Sequence, residues 1–153
     1  MLQEIGRIVD QLGRAFDGHA WHGPSVMKLL SDVEADQASA RPLEGRHTIW
    51  ELVLHIAAWK DVAVKVLIGG KMASLSDEED WPSVRSTSEA AWRQAMDELE
   101  RVHKSLIEAV SGFSETRLDE TVPGASYSFY AMLHGVIQHD LYHAGQIAVL
   151  KRK

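Results

Sequence analysis

Two histidines near the C-terminus, His139 and His143, have the residue type and spacing that could hold a metal ion. They lie four residues apart, in a run whose other members at steps of three or four are apolar. On a helix this spacing places both side chains on one face, with about 5–6 Å between their Cβ atoms. Two imidazole nitrogens at that separation can converge on one ion, each at about 2.0–2.1 Å.

A third histidine, His55, lies far upstream on another segment with helical periodicity. Leu52, His55, Trp59 and Val62 follow steps of three or four, so His55 is expected to face inward as well. Helical bundles build metal sites from side chains on facing helices. Three inward imidazoles without a metal would each need their own partners, because an unpaired buried polar group costs about 1–3 kcal/mol. The pattern therefore favours one shared ion.

The other histidines are weaker candidates for a metal site. His134 lies about 140° from His139 around the helix, so it is expected to pack or to form hydrogen bonds. His103 stands between two cationic residues and is expected to be solvated. His22, in the sequence His-Gly-Pro-Ser after the first predicted helix, is kept as a candidate for a supporting role.

Four segments carry the periodicity of amphipathic helices, which predicts an all-α fold. They run from about Leu2 to Phe16, Ile49 to Ile68, Thr87 to Val110 and Ser128 to Lys151. Thr48 with Glu51, and Ser86 with Glu89, have the spacing of capping boxes. A short additional helix is predicted around residues 25–30. The connections exceed the usual length of about 2–8 residues, which is compatible with a four-helix bundle that contains a crossover.

Composition excludes several classes of protein. The chain has 153 residues, a size that predicts one domain over residues 1–153. Its net charge of −6 argues against a nucleic-acid partner, and the absence of cysteine excludes thiolate ligands and disulfides. No long apolar run predicts a membrane span, and the N-terminal segment lacks the features of a signal peptide. We therefore expect a soluble cytoplasmic protein with no membrane partner.

Three segments resemble a known family. The stretch Leu54–Trp59 (LHIAAW), followed downstream by His134–Ile147 (HGVIQHDLYHAGQI), is similar to the DinB-like superfamily, the bacterial damage-inducible and YfiT-like metalloenzymes. The segment Trp21–Ser25 (WHGPS) is similar to one branch of it. The resemblance implies a four-helix bundle with a long crossover between the second and third helices, and frequent homodimers. It also implies a nickel or zinc ion at the positions of His55, His139 and His143.

The expected chemistry follows from a metal held by three neutral histidines. Such a site leaves positions open for water or substrate, which is typical of catalytic metals. Family members of known activity are mostly thiol-dependent transferases or isomerases. The leading hypothesis is therefore that a divalent ion activates a small thiol, such as a low-molecular-weight cellular thiol, for transfer to an electrophilic small-molecule substrate. Metal-dependent hydrolysis and non-catalytic binding of a metal or stress ligand are the alternatives.

No catalytic residue is assigned beyond the three histidines. Asp140 is expected to be solvated or to lie between helices, and packing is expected for Tyr142 and Gln146. Gly145 is interpreted as a position where another helix approaches closely. Trp59 either lines the site or belongs to the core.

Overall fold

The computed structural model describes residues 3–152, in which every regular element is helical. The long helices are α1 (Glu4–Phe16), α4 (Ile49–Leu67), α6 (Glu89–Ser111) and α7 (Phe129–Lys151), and the short ones are α2 (Val26–Leu30), α3 (Ala35–Ser39) and α5 (Asp77–Asp80). The all-α prediction is confirmed. The predicted first residue of α1, Leu2, lies outside the described residues. Within residues 3–152, no helix has both the length and the apolar character needed to cross a membrane.

The start of α4 follows the predicted capping box. The Thr48 hydroxyl accepts a hydrogen bond from the backbone N–H of Glu51 at 3.1 Å, and the Glu51 carboxylate accepts one from the N–H of Thr48 at 2.7 Å. These bonds satisfy two donors that the first helical turn cannot pair internally. The box fixes the residue at which α4 begins, and hence the face on which His55 lies.

Helix α6 begins later than predicted. Its N-cap is Ser88, and the predicted capping box of Ser86 with Glu89 does not form. The Glu89 carboxylate instead accepts a hydrogen bond from the backbone N–H of Ala35, at 3.0 Å. The Glu89 carboxylate, which the capping box would have required, is therefore used in a tertiary contact with α3.

The four long helices form a bundle in which α1 and α4 each pack against both α6 and α7. Along α4 and α6, Trp50 meets Trp92 with ring centroids 5.1 Å apart, and Lys60 meets His103 further on, so these two helices run parallel. Parallel neighbours require a long crossover. Residues 68–88 supply it and contain α5. The four-helix packing and the long connections agree with the sequence prediction.

A buried polar layer lies between the two hydrophobic clusters of the core. The ammonium group of Lys60 donates a hydrogen bond to Asp140 Oδ2 at 2.6 Å and lies 3.3 Å from His103 Nδ1. The exposed fractions of Lys60 and Asp140 are 1% and 0%. The His103 ring stacks on Phe16 with 3.7 Å between centroids. The prediction that His103 is solvated is therefore wrong, because it lies on the face of α6 that packs against α1 and α4.

Replacement of Lys60 by methionine should destabilise the metal-free protein by about 3–5 kcal/mol, because it leaves the Asp140 carboxylate buried without its partner. Chemical denaturation measures this change in the free energy of unfolding. The matched control is Lys65→Met on the same helix, whose exposed ion pair with Asp61 should contribute less than about 1 kcal/mol. Equal effects of the two substitutions would contradict a structural role for the buried pair.

Candidate metal centre

The three predicted histidines converge at the interface between α4 and α7. His139 Nε2 lies 3.0 Å from His55 Nε2 and 3.1 Å from His143 Nε2. Each ring offers one nitrogen to a group whose members all lie within 4.8 Å of one another. His55 and His143 are buried, and His139 is half-buried. Three close histidines in this arrangement could bind one metal ion.

His55 is oriented by the crossover. Its Nδ1 lies 2.6 Å from the backbone carbonyl of Asp80, so the Nδ1–H donates there and the lone pair remains on Nε2. The Asp80 carboxylate also accepts a hydrogen bond from the Trp59 indole at 2.7 Å. Asp80 thus ties the crossover to α4 through two side chains. A hydrogen bond from Nδ1–H to a backbone carbonyl is a usual way in which a metal-binding histidine is fixed in one tautomer.

Trp81 holds the ring plane of His55. The Trp81 indole stacks on His55 with 3.8 Å between centroids and 5° between planes, and its other face stacks on His47 at 3.5 Å and 2°. Sequence reasoning left Trp81 unplaced. The available signal was the pair Ser76 and Glu79, which has capping-box spacing and forms that box at the start of α5. It predicts a helical turn just before Trp81, but not the contact with His55.

His143 is oriented by its own helix. Its Nδ1 lies 2.6 Å from Gln146 Oε1, three residues along α7, so the Nδ1–H donates to the amide oxygen and leaves the lone pair on Nε2. Gln146 was expected only to pack, so its hydrogen bond with His143 was missed. The spacing of three residues could have revealed it, because side chains three residues apart on a helix are neighbours.

Burial keeps the three imidazoles neutral. It lowers the pKa of His139 to about 3, and the neighbouring His143 adds to this effect. Burial also lowers the pKa of His55 and of His143, although the hydrogen bonds that these rings donate to Asp80 and Gln146 act in the opposite direction. Neutral imidazole is the form that coordinates metals.

The donor set fits a divalent cation. With the Nδ1 protons of His55 and His143 both donated elsewhere, their Nε2 atoms are acceptors, and both face His139 Nε2. A proton on His139 Nε2 can form a hydrogen bond with only one of these two acceptors. The lone pair of the other acceptor would then point at a nitrogen without a hydrogen bond. The Nε2 atom of His139 lies 3.0 and 3.1 Å from the other two Nε2 atoms, close enough for neighbouring imidazoles to share an ion at about 2.0–2.1 Å from each nitrogen. One shared cation would satisfy all three nitrogens.

Other residues singled out in the sequence have different environments. Tyr142 was expected to pack, but its side chain is 68% exposed. Gly145 was expected to permit close approach, but a Cβ at that position would meet no atom within 4 Å, so this interpretation is wrong. His22 is exposed in the loop after α1 and takes no part in the cluster of three histidines. His134 packs against Tyr130 with 4.3 Å between ring centroids and 46° between planes, in line with its predicted packing role.

Two cavities lie on either side of the three histidines along α7. The one that we call the apolar cavity has a volume of about 350 Å³ and is lined by His139 and Trp59 together with mainly apolar residues. The one that we call the polar cavity has a volume of about 460 Å³ and is lined by Arg46, His47 and Gln146 among others. Only the apolar cavity includes one of the three histidines in its wall.

A sequence model of the DinB superfamily matches residues 21–147, a range that contains all three clustered histidines. The chain belongs to the DinB superfamily. Comparisons with characterised proteins and with solved structures gave no significant match. The matched range spans most of the chain, including α4, the crossover, α6 and most of α7. It therefore covers every residue that forms or supports the candidate centre of this DinB protein.

Loss of the Gln146 amide should weaken metal binding. We expect Gln146→Leu to lower the affinity for a divalent ion by about 10–100-fold, because the Nδ1–H of His143 loses its acceptor. Competition titration with a chelating dye measures the affinity. Gln138→Leu is the control, since Gln138 is exposed on the same helix beside a candidate ligand. Similar losses in both variants would mean that Gln146 does not orient His143.

The metal-free protein should lose stability as the pH falls below about 6.5. Burial, helped by the Lys60 charge, lowers the pKa of His103 to about 3, so the unfolded chain takes up the proton first. Stability from this group is present above about pH 6.5 and is lost as the pH falls toward 3. In His103→Gln the free energy of unfolding should fall less steeply with decreasing pH than in the wild-type protein, by up to about 1.4 kcal/mol per pH unit. Urea denaturation at several pH values measures it, and parallel curves would contradict burial of a neutral His103.

Proposed function

We propose that this DinB protein binds one divalent metal ion through the Nε2 atoms of His55, His139 and His143, and that it uses the ion to activate a small thiol for transfer to an electrophilic substrate. The observation that carries the proposal is the convergence of three neutral imidazoles. Two of them are held in the tautomer that leaves Nε2 free for coordination. The all-histidine donor set suits nickel or zinc, the metals that the family resemblance implies.

The chemistry of the site would come from the ion together with the residues that hold it. A divalent ion would lower the pKa of a thiol or water that binds it, which supplies a nucleophile near neutral pH. The chain contains no cysteine, so it has no thiol nucleophile of its own. The histidines would hold the ion, and Asp80, Trp81 and Gln146 would keep the His55 and His143 rings oriented. Trp59 and the apolar cavity would border the ion on one side.

The choice of a thiol as the nucleophile rests on the family resemblance. The same centre could act on water, which gives metal-dependent hydrolysis, or could bind a metal or stress ligand without turnover. We also propose a cytoplasmic homodimer with a small-molecule substrate and no nucleic-acid or membrane partner. The net charge of −6 supports the absence of a nucleic-acid partner.

Metal content is the first test of the proposal. Protein purified without chelator should carry about one nickel or zinc ion per chain in elemental analysis. His55→Ala should remove most of it, because α7 alone retains two ligands. His22→Ala is the matched control, since His22 is exposed and lies apart from the cluster. Full metal content in a folded His55→Ala protein would show that α4 and α7 do not share an ion.

The reaction is tested with the metal-loaded protein. We expect metal-dependent consumption of a small thiol such as cysteine in the presence of an aryl halide or an epoxide. Mass spectrometry should detect the conjugate of the thiol with the electrophile. Hydrolysis of esters or amides without use of thiol would support the hydrolase instead. Absence of both reactions over a broad panel, with metal bound, would favour the non-catalytic function.

A further inference from the structure

The apolar cavity beside His139 has the features of a substrate site. We propose that it binds the uncharged, apolar part of the electrophilic substrate and directs the reactive end toward the three histidines. This inference rests on the proposed function and adds to it the class of substrate. The cavity volume of about 350 Å³ lies at the small end of the range of about 300–1,000 Å³ for ligand sites, so the occupant is a small aliphatic or aromatic group.

Among residues 3–152, those that line the cavity include no carboxylate, lysine or arginine. Besides His139, Trp59 and Tyr127, its described lining residues are aliphatic, glycine or methionine: Val62, Ala63, Met72, Ala131, Met132, Gly135 and Val136. The Trp59 indole N–H is already bonded to Asp80. A charged group moved into such surroundings would lose its hydration without gaining a partner. The cavity therefore selects an uncharged ligand.

The outer wall of the cavity is anchored by the backbone. The N–H of Met72, at the start of the crossover, donates to the carbonyl of Pro123 at 2.7 Å. Gly124 adopts φ +82°, and a Cβ there would lie 2.3 Å from the Met72 carbonyl oxygen, so only glycine permits this approach. These contacts join the crossover to the loop that carries Tyr127. Two connections that are held together therefore border the cavity on this side.

The position of the cavity connects it to the candidate centre. His139 belongs both to its wall and to the three histidines, and the Trp59 ring lies 6.3 Å from that of His139. An apolar group in the cavity would therefore lie beside a ligand bound at the centre. Cysteine-derived thiols carry charged groups, which this lining disfavours. The electrophile, rather than the thiol, is the partner that fits.

The test uses the cobalt-loaded protein and n-alkanethiols of increasing length, from ethanethiol to hexanethiol. The sulfur anchors each probe at the metal, and the alkyl tail reports whether an apolar group is accepted beside it. Cobalt absorption bands measure binding without turnover. In the wild-type protein we expect affinity to rise by up to about fourfold for each added methylene that becomes buried.

Two glycines of α7 provide matched variants. Gly135 lines the apolar cavity and Gly145 lines the polar cavity, and a Cβ at either position meets no atom within 4 Å. Gly135→Leu should fill the apolar cavity and abolish the dependence on chain length while ethanethiol still binds. Gly145→Leu should retain that dependence. Ala131→Phe, at an exposed lining position, gives a second block should Gly135→Leu fail to fold.

Each outcome has a separate meaning. Affinity that is independent of chain length in the wild-type protein overturns the apolar subsite, yet thiol binding at the metal would still support the proposed function. Chain-length dependence that is lost in Gly145→Leu and kept in Gly135→Leu also overturns it, because the tail would then lie in the polar cavity. If cobalt does not bind, or if no thiol alters the cobalt bands, the proposed function fails and the substrate site fails with it.

Discussion

The buried contact between Lys60 and Asp140 is the constraint on which the arrangement of the bundle depends. Two charged groups inside a core must remain paired, because separation leaves each without hydration or a partner. Lys60 lies five residues after His55, and Asp140 directly follows His139. The pairing that the core requires therefore also sets the register in which α4 presents His55 to α7. Sliding one helix by a turn, about 5.4 Å, would separate the ion pair and the histidines together.

The crossover between α4 and α6 links topology to the candidate centre. Parallel packing of these helices makes a long connection necessary, and residues 68–88 use that length to reach back over His55. Asp80 accepts the Nδ1 proton of His55, and Trp81 stacks between His55 and His47. His143, in contrast, is oriented by Gln146 of its own helix. The two sides of the centre thus differ, since one depends on tertiary folding of the crossover and the other on helix geometry.

The electrostatics of the centre suit activation of a nucleophile. Three neutral imidazoles would leave the full charge of a divalent ion uncompensated by its ligands, which favours a bound anion such as a thiolate or hydroxide. The apolar cavity on the His139 side would place uncharged side chains beside that ion. The polar cavity with Arg46 and His47 lies on the opposite side. In the proposed reaction, the apolar electrophile would lie in the apolar cavity and the charged nucleophile would lie toward the polar cavity.

Local patterns in the sequence determined the helices and the choice of His55, His139 and His143. Steps of three or four residues place side chains on one face of a helix whatever the helix packs against, and the Thr48–Glu51 box marks a helix start by itself. Only the tertiary structure decided the roles of Trp81, Asp80 and His103. Stacking of Trp81 on His55 and burial of His103 against Lys60 are contacts between distant segments, which no local period encodes. The apolar cavity is likewise decided by tertiary packing, because its walls come from α4, α7 and two connections that meet only in the folded chain.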